Sequence, residues 1–328
     1  MREALYYEKE QKGWVRCNLC PHHCHIGPGK VGICRVRKNI EGKLYSLNYG
    51  KVSSIALDPI EKKPLYHFHP GKPILSVGSF GCNFRCQFCQ NWQIAQLTEV
   101  PAREITPEQL VDIAQKQSYN IGIAYTYNEP SIWYEYVLEC CKLAKKRGLK
   151  NVLVTNGFIE SEPLEELLPY VDAMNIDVKG YTQDFYKDLV FGNLAAVKNT
   201  VERAQKSCHI EITTLLIPGR NDKEEEVRAL AEWLSSLSRD IPLHFSCYFP
   251  NYKLDLPPTP VETLKKARGL AKLYLNYVYI GNVIDEEGNS TYCPKCGEVL
   301  IRRSAYRIQK CYLKGRCENC KSPISIVE

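Results

Sequence analysis

Long apolar runs are missing from this 328-residue sequence. No stretch approaches the roughly 18 consecutive apolar residues that a membrane-spanning helix needs. Residues 1–13, MREALYYEKEQKG, contain no apolar run behind a basic segment, so they do not resemble a secretion signal. We therefore expect a cytoplasmic protein with no membrane partner.

Strong charge and internal repetition are also missing. The formal net charge is +6, which is modest for this length and would fall further if cysteine thiolates bound metal. Composition alone therefore gives no reason to expect nucleic-acid binding, although basic residues near the carboxyl terminus leave that partner open. With 44% apolar and 24% charged residues, the chain fits one large α/β domain with small additions, or two ordinary domains.

Cysteine, in contrast, is abundant, with 16 residues in the chain. A random chain of this composition would contain about one C-x-x-C pair. This one contains four, which start at Cys17, Cys86, Cys293 and Cys317, and the excess indicates metal binding. Eleven cysteines fall into three groups, and the others have no ligand spacing: Cys140, Cys141, Cys208, Cys247 and Cys311.

Short β-branched or apolar runs alternate with helical patterns between residues 73 and 276. The runs predict six strands, at 73–79, 121–127, 151–156, 171–178, 209–218 and 241–249. Helices are predicted at 106–117, 131–148, 222–237 and 261–276, the first with Thr106 as its N-cap and Pro107 at its first position. Repeated β-α units favour parallel strands with helical crossovers. The predicted fold class is therefore α/β, a partial (β/α)6 TIM-type barrel.

The two ends of the chain differ from this middle part. Residues 1–40 are rich in Cys, His, Gly and Pro and lack sustained periodicity, and residues 288–328 are again Cys-rich and loop-like. Short segments of this kind fold around a metal more readily than around an apolar core. We predict a metal-binding module at 1–40, the barrel at 41–287, and a zinc-ribbon or rubredoxin-like module at 288–328.

The central cysteine group is Cys82, Cys86 and Cys89, directly after the first predicted strand. Three closely spaced thiolates are soft ligands for iron, and the lack of a fourth nearby cysteine would leave one iron of a [4Fe-4S] cluster open to a substrate. Loops that follow strands at the carboxyl end of a β/α barrel are where catalytic groups collect. We therefore favour a catalytic cluster here over a structural zinc site.

The spacing C-x-x-x-C-x-aromatic-C, with Phe88 as the aromatic residue, resembles the signature of radical S-adenosylmethionine (SAM) enzymes. Its surroundings look like the branch that contains pyruvate formate-lyase activating enzyme. The segments GCNFRCQFCQNW, AYTYNEP, LVTNGF, NIDVKG and LLIPGRND, in this order, are similar to the radical SAM enzyme of the AmmeMemoRadiSam system. The likeness covers residues 70–250, with further similarity in both Cys-rich ends.

This resemblance implies that the reduced cluster donates an electron to SAM, giving methionine and a 5′-deoxyadenosyl radical that abstracts hydrogen from a substrate. It also implies a low-potential electron donor of flavodoxin or ferredoxin type. Such a radical needs an enclosed site, which a barrel lumen supplies. Two substrate classes stay open: a protein that receives a glycyl radical, or a small molecule or other macromolecule, with an auxiliary cluster as electron relay. A non-enzymatic metal-binding or nucleic-acid module is disfavoured, because it gives no reason for an open three-cysteine site.

The resemblance further implies residues that bind SAM. Asn128 and Glu129 fall where the family has a glycine-rich motif whose acid meets the SAM amino group, although Tyr127 and Asn128 replace the usual glycines. Asp177 and Lys179 alternate onto one face of a strand end, which suits ribose hydroxyls and the SAM carboxylate. Two further candidates lie at other strand ends: Asn156 and Arg220.

Each of these polar residues also has a structural alternative. Glu129 could be an acid at a helix start, and Asp177 with Lys179 could form an ordinary ion pair. Asn156 begins an Asn-Gly pair that would make a tight turn with or without function. Arg220 lies in a segment that also suits a capped helix entry.

The two terminal groups each contain four cysteines. The amino-terminal group can close a tetrahedral zinc site or bind an iron-sulfur cluster, and its spacing does not choose between them. The carboxyl-terminal group forms two C-x-x-C knuckles, typical of a module that holds zinc or iron. The amino-terminal group is Cys17, Cys20, Cys24 and Cys34. The carboxyl-terminal group is Cys293, Cys296, Cys317 and Cys320.

Overall fold

The computed structural model describes residues 1–97, 99–304 and 307–328. Its amino-terminal strands are β1 (Arg2–Glu3), β2 (Tyr7–Lys9), β3 (Val15–Cys17), β4 (His25–Ile26), β5 (Arg37–Ile40), β6 (Lys43–Ser46) and β7 (Lys51–Val52). The first six form two antiparallel sheets, ordered β1-β6-β5 and β2-β3-β4. The β5–β6 hairpin spans residue 40, so the amino-terminal sheets continue past the module boundary expected from composition.

The middle of the chain forms the partial barrel. Its strands are β8 (Ser54–Pro59), β9 (Pro73–Gly78), β10 (Arg103–Glu104), β11 (Gly122–Tyr125), β12 (Lys150–Thr155), β13 (Ala173–Asp177), β14 (His209–Leu216), β15 (Leu243–Cys247) and β16 (Val278–Gly281). Apart from β10, which pairs with β7, they form one sheet in the order β16-β15-β14-β13-β12-β11-β9-β8. β9 and the strands from β11 to β16 run parallel, and β8 lies antiparallel at one edge. The predicted α/β fold is confirmed, with β8 and β16 added to the six predicted strands.

Helices lie between successive parallel strands, and one more follows the last of these strands. They are α1 (Trp92–Ala95), α2 (Pro107–Lys116), α3 (Tyr134–Lys146), α4 (Ser161–Leu167), α5 (Gln183–Phe185), α6 (Leu194–Ala204), α7 (Glu224–Leu237), α8 (Val261–Ala271) and α9 (Glu286–Asn289). α2 begins as predicted, because the Thr106 side chain accepts a hydrogen bond from the Gln109 amide and the Thr106 amide donates one to the Gln109 side-chain oxygen. α8 ends at Ala271, earlier than the predicted limit of 276. The described helices include none that is long and apolar enough to cross a membrane.

Residues 60–69, which we call the plug segment, fill the amino-terminal end of the barrel between β8 and β9. Its apolar side packs against residues that point inward from β9, β11, β12 and β13. Its Pro64 carbonyl accepts a hydrogen bond of 2.9 Å from the Asn175 side chain on β13. The carboxyl end of the barrel contains the cavity that is described below. The apolar contacts join Ile60, Leu65 and Phe68 with Ile74, Ala124, Val152 and Ala173.

The carboxyl-terminal region docks beneath the plug segment. Its strands are β17 (Thr291–Tyr292), β18 (Val299–Ser304), β19 (Arg307–Lys310), β20 (Tyr312–Leu313) and β21 (Arg316–Cys317). Arg303 is buried and donates a hydrogen bond of 2.6 Å to the Tyr66 carbonyl. The Val327 amide donates to the His67 carbonyl at 2.8 Å. This module therefore closes the end of the barrel opposite to the central cysteines.

Candidate functional site

Three thiols share one loop at the carboxyl end of the barrel. Cys82, Cys86 and Cys89 follow β9 and line a cavity of about 350 Å³, together with polar residues from neighbouring strand ends. Cys86 is buried, while Cys82 and Cys89 are half-buried. Burial raises the pKa of the Cys86 thiol to about 12 and also raises the pKa of the other two thiols. Because ligating thiols must be ionised, a metal would bind here with release of protons.

The donor set fits an iron-sulfur cluster that leaves one iron facing the cavity. Three sulfur donors come from a single loop, which suits iron better than a hard cation. Among the described residues that line this cavity there is no fourth cysteine and no histidine. The described residues of the cavity therefore offer no further cysteine and no histidine to complete an ordinary four-ligand zinc site.

Asn128 fixes the start of the cysteine loop. Its Oδ1 accepts a hydrogen bond of 2.9 Å from the Ser79 amide, and its Nδ2 donates one of 3.1 Å to the Gly81 carbonyl. These two residues come just before Cys82 in the chain. The Asn128 amide thus holds the loop in place through both of its polar atoms, and the residue also lines the cavity.

Tyr127 keeps the backbone conformation that glycine favours, although its side chain departs from the family pattern. Its φ is +72°, in the left-handed region. Its hydroxyl donates a hydrogen bond of 2.8 Å to the Asp58 carboxylate, which also pairs with Lys63 at 2.9 Å. Lys63 lines the cavity, and no motif marked Lys63 or Asp58 in the sequence. Both belong to the chain before β9, where the apolar pattern is short.

The Glu129 carboxylate is 2% exposed and accepts three hydrogen bonds within the chain. The donors are the Ser131 amide at 2.9 Å, the Thr155 hydroxyl at 2.6 Å and the Asn156 amide at 2.8 Å. Burial raises the pKa of Glu129, although these donors oppose the rise. Glu129 caps the short 3-10 helix Pro130–Trp133, so the helix-start alternative is realised in the structure. A carboxylate has about four acceptor positions, so one remains for a further donor.

Asn156 links Glu129 to the cysteine loop. Its Nδ2 donates to the Asn83 Oδ1 at 2.9 Å and lies 3.7 Å from the Cys82 Sγ. Because its own backbone amide is held by Glu129, the position of this side chain depends on the buried carboxylate. Asn156 thus connects the buried carboxylate with the cysteine loop.

Asp177 and Lys179 lie at the end of β13 and line the same cavity. The Lys179 Nζ is 2.7 Å from the Asp177 Oδ2, so the ion pair considered above is present. Burial lowers the pKa of Lys179, but the Asp177 carboxylate and the Cys86 thiolate outweigh burial and raise it. A lasting positive charge beside the three sulfurs would balance part of the negative charge that ionised thiols bring.

The structure does not bring Arg220 to the cavity. Arg220 is exposed on the turn after β14, and α7 starts only at Glu224. Its neighbour Asn221 is buried instead and donates a hydrogen bond of 2.8 Å to the Lys179 carbonyl. The sequence suggested Asn221 or Asp222 only as the cap of the following helix, but the structure places the N-cap of α7 at Lys223.

The carboxyl-terminal cysteines already have the spacing of a single-ion site. The Cys293 and Cys320 sulfurs are 3.5 Å apart, and those of Cys296 and Cys317 are 3.7 Å apart. A tetrahedral zinc site with bonds of about 2.3 Å has sulfur-sulfur edges of about 3.8 Å. This group can therefore hold one metal ion without rearrangement.

The sequence pattern of the Radical SAM superfamily matches residues 76–234, from β9 into α7. An uncharacterised protein of Methanocaldococcus jannaschii is 48% identical over 337 residues, and the match covers 100% of both chains. The matched segment contains the cysteine loop and the cavity residues from β11 to β14. The chain belongs to the radical SAM superfamily. The identification made from the cysteine motif is thereby confirmed.

Within the radical SAM superfamily, the chain is similar to an activating enzyme. Pyruvate formate-lyase 1-activating enzyme of Escherichia coli is 24% identical over 212 residues, which are 59% of this chain and 86% of the relative. The crystal structure of Streptococcus suis SuiB bound to S-adenosylmethionine superposes with a TM-score of 0.52 at 12% identity, over 64% of this chain and 52% of that chain. The structural likeness shows a shared fold. The chain is thus a radical SAM enzyme of the branch that contains the activating enzymes.

Proposed function

We propose that this radical SAM enzyme holds a [4Fe-4S] cluster through Cys82, Cys86 and Cys89 and uses it to cleave SAM. The position of the cysteine loop supports the proposal: its thiols line a cavity at the carboxyl end of the barrel together with Glu129, Asp177 and Lys179. When bound, the cluster and SAM together would supply a 5′-deoxyadenosyl radical that abstracts hydrogen from the substrate. The plug segment closes the other end of the barrel and so limits the access of water.

The polar residues of the cavity would bind and orient SAM. The remaining acceptor position of Glu129 suits the ammonium group of SAM. Asp177 suits the ribose hydroxyls, and Lys179 suits the carboxylate. Arg220 is left out of this proposal because it is exposed outside the cavity.

Other residues would position the cluster ligands without touching SAM. Asn128 holds the backbone before Cys82, and Asn156 places an amide group beside its sulfur. Phe88 is buried and packs 6.0 Å from the ring of Phe185, which anchors the middle of the loop. The sulfurs would thus be held by packing as well as by hydrogen bonds.

A protein is the substrate that we favour, with a glycine as the hydrogen donor. The activating-enzyme relative supports this choice. So do aromatic side chains near the cavity. The half-buried Trp92, three residues after Cys89, stacks on the exposed Tyr252 at 5.3 Å, and Phe249 is 46% exposed. Aromatic side chains are frequent in protein interfaces. A low-potential flavodoxin or ferredoxin type of protein would supply the electron.

The terminal regions complete the proposed organisation. The parts are an amino-terminal metal-binding module, predicted at 1–40 and extended by the β5–β6 hairpin, then the barrel up to residue 287 and a metal-binding ribbon at 288–328. The four carboxyl-terminal sulfurs suit one zinc or iron ion, which would stabilise a module with a small core. That core consists of Cys293, Leu300, Ile301 and Cys317 with partly buried neighbours.

Product analysis tests the proposed reaction. The protein is reconstituted with iron and sulfide without oxygen, reduced at low potential, mixed with SAM and analysed for 5′-deoxyadenosine. The Cys86→Ala variant should form none, whereas Cys208→Ala, which changes a cysteine outside the three groups, should match the wild type. A Cys86→Ala variant with wild-type yield would contradict the proposal.

The role of Glu129 is tested by Glu129→Gln. We expect SAM affinity to fall about tenfold, equivalent to about 1.4 kcal/mol, while acid-labile sulfide stays at the wild-type level. Equilibrium dialysis with labelled SAM measures the affinity, and Glu262→Gln on the exposed face of α8 is the matched control. Unchanged affinity would leave Glu129 as a helix cap alone.

The substrate class is tested with a co-produced partner protein. An exchangeable glycyl radical seen by electron paramagnetic resonance, dependent on SAM and on Cys86, would support a protein substrate. Turnover of a metabolite without any partner would contradict it and favour the small-molecule alternative.

A further inference from the structure

The three cysteine groups of this chain differ in the spacing of their sulfurs. Among the described residues, the carboxyl-terminal group is the one set of three or more potential ligands whose atoms all lie within 4.8 Å of one another. The amino-terminal group does not meet that distance, and neither does the central group proposed to bind a cluster. The sulfurs of the amino-terminal group are therefore, like those of the central group, spaced more widely than the sulfurs of the carboxyl-terminal group.

The amino-terminal cysteines surround an enclosed cavity. All four line it, and Cys17, Cys20 and Cys34 are buried while Cys24 is half-buried. Isoleucine and leucine side chains form much of the remaining lining, so the cavity is shielded from water. The four sulfurs thus face one common interior space, of about 10 Å³ in this structure.

A buried cation shares this cavity. Arg37 is one of the lining residues and is 1% exposed. Its Nη2 pairs with Glu135 at 2.5 Å and its Nη1 donates to the Leu5 carbonyl at 3.0 Å. Its Nε has no hydrogen-bond partner among the described residues. A buried N–H without a partner costs free energy, and a sulfide or thiolate in the cavity would accept its hydrogen bond.

We propose that Cys17, Cys20, Cys24 and Cys34 hold a second [4Fe-4S] cluster rather than a zinc ion. Around one zinc ion the sulfurs must approach to about 3.8 Å, as those of the carboxyl-terminal group already do. Around a cluster the irons and sulfides stand between the thiolates, so the ligand sulfurs are spaced more widely. The spacing of the amino-terminal sulfurs fits the second arrangement.

The second cluster lies next to the loop that carries the central cysteines. A β-carbon added at Gly81 would be 2.8 Å from the Cys34 carbonyl oxygen, so the residue before Cys82 packs directly on a ligand of the second cluster. Asn83 lines the amino-terminal cavity, and its side chain is bonded to Asn156, which lies beside the Cys82 sulfur. The two clusters are therefore separated by a single layer of residues.

Counting acid-labile sulfide in full-length variants tests the proposal, because zinc sites and single-iron sites contain none. The reconstituted wild type should contain about eight sulfides per chain. Replacing Cys82, Cys86 and Cys89 together by Ala should leave about four, with a Mössbauer spectrum typical of [4Fe-4S] clusters. No sulfide in this folded triple variant, with about two zinc ions per chain, would overturn the proposal.

A second variant decides the matter if the triple variant does not fold. Replacing Cys20 and Cys24 together by Ser leaves two of the four thiolates, fewer than the three of the central group, and should lower the sulfide content by about half. The control Cys208→Ser should keep the wild-type content. Equal sulfide in the Cys20→Ser/Cys24→Ser variant and wild type would overturn the proposal. These counts do not depend on SAM cleavage, so they stay informative even if the proposed reaction fails.

Reduced wild-type protein gives an independent readout of proximity. Two paramagnetic clusters this close should broaden each other's electron paramagnetic resonance signal, and each cluster alone, in the variants above, should give a narrow signal. Narrow signals from a doubly reduced wild type would contradict the adjacent placement.

Discussion

Replacement of Glu211 by Gln should destabilise the protein, because this carboxylate joins the plug segment to the barrel wall. Glu211 is fully buried on β14. It accepts hydrogen bonds from the Tyr66 amide at 2.9 Å, the His67 amide at 2.7 Å, the His209 imidazole at 3.0 Å and the His244 imidazole at 2.7 Å. Glutamine keeps one oxygen but turns an amino group towards donors that then have no acceptor.

The free energy of unfolding should fall by about 3–5 kcal/mol in Glu211→Gln, which is the usual cost when one partner of a buried charged network is removed. Unfolding entropy of about 2.1 cal/mol/K per residue gives about 0.7 kcal/mol/K for this chain. The melting temperature of Glu211→Gln should therefore fall by about 4–7 °C. Burial alone would raise the pKa of Glu211, but the hydrogen bonds from His209 and His244 outweigh burial and hold the pKa below its usual range. The stabilisation is thus complete above the unfolded pKa of about 4.3 and is lost as the pH falls further.

Calorimetry at neutral pH measures this difference. Glu262→Gln is the matched control, since the Glu262 side chain is 78% exposed and should change the melting temperature by less than about 1 °C. The gap between Glu211→Gln and wild type should narrow in acid. Equal melting temperatures at neutral pH would refute the role given to the plug segment.

Three further outcomes are expected. Gly81→Ala should reduce labile sulfide in both proposed clusters, because its backbone has φ +87° and the new β-carbon would meet the Cys34 carbonyl. Cys296→Ser should lower bound zinc or iron by about one ion per chain, measured by elemental analysis, and leave the labile sulfide unchanged. Burial lowers the pKa of His67 to about 4. The free energy of unfolding should therefore fall by about 3 kcal/mol as the pH drops from about 6.5 to 4, because the unfolded state binds a proton that the folded state does not. Denaturant unfolding at several pH values should show a weaker dependence of this free energy on pH in His67→Gln.

Local patterns in the sequence were enough to predict the barrel and the cysteine loop. Alternating apolar runs marked the six central strands, and the loop after the first of them carries the three cysteines because motif and strand are contiguous. Asn128, Glu129, Asn156, Asp177 and Lys179 all line the cavity, since parallel strands bring their carboxyl ends to one edge. The prediction of successive parallel strands was therefore enough to place most of the candidate residues at one site.

Contacts between distant parts of the chain could not be predicted in the same way. The plug segment has no strand or helix period, and its residues are fixed by partners such as Glu211 and Asn175, more than a hundred positions away. Lys63 reaches the cavity only because this segment enters the barrel. Arg220 follows a strand end, as its neighbours in the motif do, but the turn after β14 directs it to the surface.

The distances between the sulfurs of each terminal cysteine group could not be predicted from the sequence either. C-x-x-C pairs occur in both groups, and only the folded chain shows that one closes to 3.5 Å and 3.7 Å while the other surrounds a cavity. The difference arises from the backbone. Short antiparallel ribbons carry the carboxyl-terminal cysteines, whereas β3 and the loops around β3 and β4 carry the amino-terminal cysteines.

Cleavage of SAM at the central cluster is tested most directly by the electron paramagnetic resonance spectrum of the reduced protein with and without SAM. The spectrum is recorded in the Cys20→Ser/Cys24→Ser variant so that the central cluster is observed alone. The account predicts a [4Fe-4S] signal that changes on addition of SAM and disappears when Cys82, Cys86 and Cys89 are also replaced. A signal that SAM leaves unchanged, or one that survives loss of these three cysteines, would contradict it.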